Sequence, residues 1–193
     1  MNYKSDNLTP EQKKNTLTSI FLLSLVIVAF IIYKNSIDNE RNELLSKNTE
    51  ITICKIIRTN THKSTTNTVE YKVSNKRYTY EGLSYRIFQI GEMFNLKYSI
   101  KKPSISEVIY SQPVITNITD YIEIEAEISS LYSNSRINIV EFKYHYLQKD
   151  YERDIYVTKN IINNYQEGSR YKILVNKKNP KISYLKSVIK VID

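Results

Sequence analysis

Few side chains in this sequence are suited to catalytic chemistry. His62 and His145 are the only imidazoles and Cys54 the only thiol in 193 residues. A lone cysteine allows no disulfide within the chain and no cysteine-based zinc site. Two histidines far apart in sequence leave little for a metal centre or a Ser-His-Asp arrangement. There is no Gly-rich phosphate loop, no G-x-S-x-G and no H-E-x-x-H. Glu123, Glu125 and Glu127 alternate, as do Asp150, Glu152 and Asp154. Alternating carboxylates can face a cation, but Lys149 and Arg153 stand beside the second set. Calcium also needs a loop of convergent oxygens, so both rows read as solvated strand faces. No cofactor, metal or catalytic set is expected, and the chain reads as a non-enzyme.

The remaining chemistry is charge. The net charge is +8. Residues 48–119 hold ten basic and five acidic side chains, and residues 120–193 hold twelve and ten. Within the first group Lys76, Arg77, Lys101 and Lys102, with Lys63, Lys72, Arg86 and Lys97, are candidates for contact with an anionic lipid surface. Lys76-Arg77-Tyr78-Thr79-Tyr80 also interleaves aromatic and basic residues, as single-strand nucleic-acid binders do.

These residues sit behind one dominating stretch, 17–33 (LTSIFLLSLVIVAFIIY), which carries no charge. As a helix it spans about 26 Å, against roughly 30 Å of bilayer hydrocarbon. Lys13, Lys14 and Lys34 flank it, and Tyr33 suits an interface. It is apolar on all faces and has no A-x-A-like exit, so an uncleaved anchor is expected rather than a core helix or a cleaved signal. Thr9-Pro10-Glu11-Gln12 is a helix start. Residues 1–16 form a polar tail, and residues 34–47 continue as a helical stalk. Basic groups number four before the span and three just after it. A lone early anchor followed by a large domain commonly exports that domain, and with the small charge bias this points to a cytoplasmic N-terminus and an extracytoplasmic, periplasmic C-terminal part at the cytoplasmic membrane.

Beyond the stalk the chain reads as mainly β: 17 tyrosines, 3 glycines and many isoleucines. It also repeats itself. Ile51-Thr52-Ile53 matches Ile122-Glu123-Ile124, and Val69-Glu70-Tyr71-Lys72 matches Val140-Glu141-Phe142-Lys143, both at an offset of 71. Gly91, Phe94 and Pro103 match Gly168, Tyr171 and Pro180 at an offset of 77, which places six extra residues between the second and fourth strands of the second copy. The copies are 48–115 and 120–193. Each is expected to hold five strands: 50–58, 67–74, 76–82, 92–99 and 105–110, then 121–130, 137–147, 150–157, 169–176 and 182–191. A helical turn fits between the third and fourth strands of the second copy. That order predicts two small five-stranded barrel-like domains of the OB or SH3 kind, or a sandwich. Phe94 and Tyr171 fall at equivalent core positions. The 71-residue offset pairs Cys54 with Glu125 and so puts the thiol on the outer face.

Gly91-Glu92-Met93-Phe94-Asn95-Leu96-Lys97-Tyr98 with Lys102-Pro103, and Gly168-Ser169-Arg170-Tyr171-Lys172-Ile173-Leu174-Val175 with Asn179-Pro180, follow a strand of the form V-E-[YF]-K. This resembles a bacterial domain family of unknown function found in membrane-anchored proteins, whose pattern is V-G-D-x-V-x-V-x-Y-x-P-x-N-P. The resemblance covers most of residues 48–193 and implies no activity. The expected function is a membrane-anchored binding or scaffold protein of the cell envelope, with the lipid bilayer and a protein as partners. An immunity-type protein that binds a toxin is the alternative, and an OB-like single-strand nucleic-acid binder ranks behind both.

Overall fold

The structure, a computed structural model, describes residues 10–62 and 64–192. One helix, α1 (Pro10–Ser46), leads the chain. At ~1.5 Å per residue its 37 residues reach about 55 Å. Thr18–Ser46 is long and apolar enough to cross a membrane, and its apolar window is not buried against the rest of the protein. The helix does not break where the apolar run ends. It stops only before Asn48, whose φ of 51° is a left-handed conformation that asparagine tolerates. Thr9, the expected cap, lies outside the described residues.

The first copy holds β1 (Thr49–Asn60), β2 (Thr66–Val73), β3 (Lys76–Leu83), β4 (Met93–Ser99) and β5 (Ser106–Ile115). The second holds β6 (Tyr121–Ser133), β7 (Asn138–Tyr146), β8 (Lys149–Tyr156), the short α2 (Lys159–Ile162), β9 (Arg170–Asn176), β10 (Ser183–Leu185) and β11 (Lys190–Val191). The described residues form two sheets, ordered β11-β5-β4-β1-β2-β3 and β10-β9-β6-β7-β8. Apart from β11 the two orders are the same connectivity. In each copy the first strand is central and pairs antiparallel with the second and fourth. The third strand ends its sheet in each copy, the fifth ends it only in the second, since β11 lies beyond β5 in the first, and one of the two sheets curls into a half-barrel.

Local chemistry recurs at equivalent places. The hairpins between second and third strands turn on two left-handed residues each, Ser74 and Asn75 (φ 47° and 66°) and Leu147 and Gln148 (φ 49° and 60°). This pattern matches the twist of the flanking strands. Gly91 and Gly168, at φ 97° and 77°, open the fourth strands. Their amides donate to the Ile56 and Ile128 carbonyls at 2.9 and 2.8 Å. Tyr71 and Tyr144 donate to the Pro103 and Pro180 carbonyls at 2.6 and 2.5 Å. Their rings stack on Tyr78 and Tyr151 at 5.6 and 5.4 Å.

These pairings correct the sequence alignment. β1 and β6 align one residue later than expected, so Cys54 pairs with Ala126 and Ile56 with Ile128. All four are buried, and the Cys54 thiol points into the core at 1% exposure rather than outward. The bulges at Ile56/Arg58 and Ile128/Ser130 fall at the same place. Tyr144, not Phe142, is the counterpart of Tyr71. The second copy's extra length sits mainly in 157–169, four residues longer than 84–92, and carries α2. Phe94 is buried, whereas Tyr171 is half-buried and donates its hydroxyl to the Asn164 carbonyl at 3.1 Å. The last expected strand, 182–191, breaks into β10, a 3-10 turn at Lys186–Val188 and β11. β11 then crosses to the first copy and pairs parallel with β5 at Val114 and Ile115.

One core serves both copies: Phe88, Phe94, Tyr156 and Tyr184 belong to the same cluster. At its centre lies a buried carboxylate. Glu92, 2% exposed, accepts from Arg153 Nη2 at 2.6 Å, from the Tyr184 hydroxyl at 2.7 Å and from the Gln89 amide at 2.5 Å. The Arg153 guanidinium lies 5.9 Å from the Phe88 and Tyr184 ring centroids. At the edge of the same interface Arg86 meets Asp154 at 2.6 Å, and the Tyr85 amide donates to the Tyr156 hydroxyl at 3.0 Å.

Candidate binding seam and basic end

The gap between the third and fifth strands has different fates in the two copies. In the second copy it is filled. Arg153, Ile155, Tyr156 and Val157 on and just after β8, and Tyr184 and Leu185 on β10, are all buried. What covers them is the first copy. Glu92 meets Arg153 and Tyr184, and Phe88 and Tyr110 stack on Tyr156 at 6.0 and 5.8 Å.

In the first copy the equivalent gap is an open cleft of about 470 Å³. β3 contributes Tyr80, Gly82 and Leu83, and β5 contributes Glu107, Val108 and Tyr110. The hairpin register makes Gly82 the counterpart of Ile155, so the side chain that fills the second gap is missing from the first. The Tyr80 ring lies over that glycine, where an added Cβ would fall 2.7 Å from its edge. Leu83, the counterpart of buried Tyr156, is 76% exposed, and neighbouring Tyr85 is 70% exposed.

A guanidinium from outside the barrel enters this cleft. Arg41 of α1 donates through Nη2 to the Ser106 carbonyl at 2.8 Å and the Tyr80 hydroxyl at 3.2 Å, and lies 5.7 Å from the Tyr80 ring centroid. Leu45, one turn on, is buried, and Glu40 meets Lys102 at 3.2 Å. Among the described residues Arg41 has no carboxylate partner. Arg136 is exposed at the far end of the cleft, and Lys97 and Glu107 pair across β4 and β5 at 3.5 Å. Arg41 stands eight residues past Tyr33, about 12 Å along the helix axis, so the cleft opens near the end of the apolar segment.

The four basic residues singled out from the sequence share one end of the first sheet. Thr49 pairs with Ser99, Thr52 donates to the Lys72 carbonyl, and the Ile100 amide bonds Asn48. The β2–β3 turn, with Lys76 and Arg77, and the β4–β5 loop, with Lys101 and Lys102, therefore flank the point where α1 enters. All four are exposed. Lys102 is tied to Glu40, Arg77 reaches Glu70 at 3.5 Å, and Lys76 lies over the Tyr78 ring at 5.4 Å. Lys72 is at the same end, Arg86 is bound into the interface between copies, Lys97 lies in the cleft wall, and Lys63 lies outside the described residues.

The other candidates stay apart. Burial pushes the Cys54 thiol up to about 12, so it is no nucleophile near neutral pH. His145 meets Asp150 at 2.8 Å on an exposed hairpin. Glu123 is held down at about 2 by Lys172 and Lys186, and both contacts are on the surface. Glu141 and Glu152 meet on the outer face, which raises Glu141 and lowers Glu152. Among the described residues no group of three or more His, Cys, Asp or Glu side chains is placed to hold a metal ion. No family model, curated protein or solved structure matches the chain.

Sequence reasoning missed Arg41, Gly82 and the Glu92–Arg153 pair. A glycine inside a strand signals a close approach or a gap, and Gly82 was legible on that ground. Arg41 looked like any stalk residue, because its role depends on where α1 docks.

Proposed function

We propose that the protein is a single-pass, membrane-anchored binding or scaffold protein without catalytic chemistry of its own, a subunit or accessory of a larger membrane complex in the cell envelope. One observation carries this reading. An apolar helix runs unbroken into a double β unit through Arg41, Leu45 and the Glu40–Lys102 pair, and beside that joint lies a seam whose counterpart in the second copy is filled. Strand edges with exposed aromatics suit protein contacts, since backbone groups supply affinity and side-chain pockets supply selectivity.

In this reading the N-terminus is cytoplasmic and the β unit extracytoplasmic. The lipid bilayer is a second partner of the β unit: Lys76, Arg77, Lys101 and Lys102 rest near anionic head groups, each gaining roughly 1 kcal/mol within a Debye length of the surface. Glu40 lies seven residues past Tyr33, about 10 Å along the axis, which is within that range.

The test is photocrosslinking in intact membranes. A crosslinker placed at Leu83 or Tyr85 is expected to give a discrete adduct with another polypeptide, and one placed at Glu127, on the distal sheet, is not. Adducts at neither cleft position would contradict the reading. A reporter active only outside the cytoplasm, fused after Asp193, is expected to be active, and a silent fusion reverses the orientation.

A further inference from the structure

We propose that the open seam of the first copy binds an extended acidic segment of a partner protein, laid along the outer edge of β3 as an added strand with one carboxylate on Arg41. This rests on the binding reading above and names the chemistry of its partner.

The molecule already shows how one of its seams is closed. In the second copy a carboxylate from outside the barrel, Glu92, reaches between the third and fifth strands. It takes hydrogen bonds from Arg153 on one and Tyr184 on the other. In the first copy Tyr80 stands at the Arg153 position and Glu107 at the Tyr184 position. Arg41 brings the guanidinium in from the helix, bonded to the Tyr80 hydroxyl and the Ser106 carbonyl. The cation is thus in place, and among the described residues the carboxylate is not.

The backbone is also prepared. β3 ends its sheet with no strand on its outer edge, and β5 is covered on its outer edge only at Val114 and Ile115. An extended chain entering the seam meets unpaired amides and carbonyls on the outer edge of β3, while β5 faces it with side chains. The Tyr80 ring covers Gly82, and Val108, Tyr110 and exposed Leu83 offer apolar contacts. From Tyr80 to Ser84 the wall is about 13 Å long at ~3.3 Å per residue, room for roughly four residues. Arg41 stands at one end and Arg136 at the other. The charges inside the cleft, Lys97 and Glu107, cancel. A segment alternating acidic and apolar residues matches this arrangement.

A second copy of the chain is a poorer occupant. Its row of Glu123, Glu125 and Glu127 lies on β6, which is hydrogen-bonded on both edges by β7 and β9 and cannot be offered as a strand. Nucleic acid offers no alternating amides and carbonyls to pair with the open edge of β3.

The experiment uses the full chain in neutral phosphatidylcholine nanodiscs and a fluorescein-labelled, capped octapeptide of alternating Glu and Val, followed by polarisation. Saturable binding is expected. Arg41→Gln should weaken it by about tenfold or more, the usual worth of a charge-assisted hydrogen bond. Arg136→Gln changes an exposed side chain that has no bond among the described residues, so its several-fold loss cannot be ascribed to unfolding. N-methylation of alternate peptide amides should abolish binding, as strand addition requires. Binding of a Lys-Val peptide as tight as the Glu-Val peptide, undiminished binding in both Arg variants, or no binding at millimolar peptide overturns the proposal. So does concentration-dependent self-association that Arg41→Gln abolishes, because a second copy would then be the occupant. If the crosslinked partner at Leu83 persists while the peptide fails, this proposal falls and the binding reading stands. If the peptide binds in the seam and no adduct forms in membranes, the cellular reading falls and the site stands.

Discussion

Replacing Glu92 with alanine should separate the two copies energetically. The carboxylate is 2% exposed and receives three hydrogen bonds, from Arg153, Tyr184 and the Gln89 amide. Alanine removes all three and leaves the Arg153 charge, 6% exposed, without a counter-ion. Breaking a buried pair by deleting one partner costs about 3–5 kcal/mol. Some relief comes from the Phe88 and Tyr184 rings facing the guanidinium. A domain of this size loses about 2–4 °C of Tm per kcal/mol, so a fall of roughly 6–20 °C is expected. The assay is thermal unfolding of the full chain in detergent, followed by near-ultraviolet circular dichroism. Glu92→Gln combined with Arg153→Met removes both charges and should recover most of the loss, since apolar replacement of a buried pair is often neutral. A double-variant cycle with strong coupling is therefore predicted. A Glu92→Ala variant within about 1 kcal/mol of the parent, or strictly additive effects, would refute the claim that this pair ties the copies together.

Other outcomes follow from the same structure. Cys54 should resist thiol reagents at pH 8 in the folded protein and react only as denaturant opens the core; rapid native labelling would contradict its inward placement. Burial raises Cys54 from 9.0 and Tyr110 from 10.0, both to about 12, and burial with the Glu92 carboxylate holds Tyr184 well above 10. All three favour the protonated form in the folded state. Their stabilisation is full below about pH 9 and is lost as pH rises toward 12, so the denaturant midpoint should fall across that window. Leu147→Asn with Gln148→Gly places suitable residues at two left-handed positions and should stabilise the chain by roughly 1–2 kcal/mol, read as a higher urea midpoint at unchanged slope. Neutralising Lys76, Arg77, Lys101 and Lys102 together should reduce co-sedimentation of the β unit with anionic vesicles; equal sedimentation with neutral and anionic vesicles would leave the basic end without a lipid role.

The strands and the helix were legible because their signals are local. Val140, Phe142 and Tyr144 alternate with charged residues and fall on one buried face, and the apolar run 17–33 lies within α1. The face of β1 was not legible. Ile51, Ile53, Cys54, Ile56 and Ile57 are apolar on both sides of the strand, so letter identity with Ile122 and Ile124 suggested a register one residue off. Such a slip inverts every side chain, and it reversed Cys54. The bulge at Ile56/Arg58 hides the true period further. The crossing of β11, the Glu92–Arg153 pair and the docking of Arg41 depend on partners tens of residues away, and no short pattern announces them. Glu92 looked like an ordinary variant of the acidic residue after glycine. The pairing with Arg153, 61 positions on, is what makes it the hub of the interface.

The central claim is that the anchored double β unit works by holding another protein. Its most direct test is the mass of the full chain isolated from its own membranes in mild detergent at ~0.1 M salt, where surface charges are screened beyond about 10 Å. Native mass spectrometry is predicted to find the 22.8 kDa chain in a fixed ratio with a second polypeptide, and the ratio should fall when Arg41 and Leu83 are both replaced. The chain recovered alone and monomeric under those conditions would contradict the account.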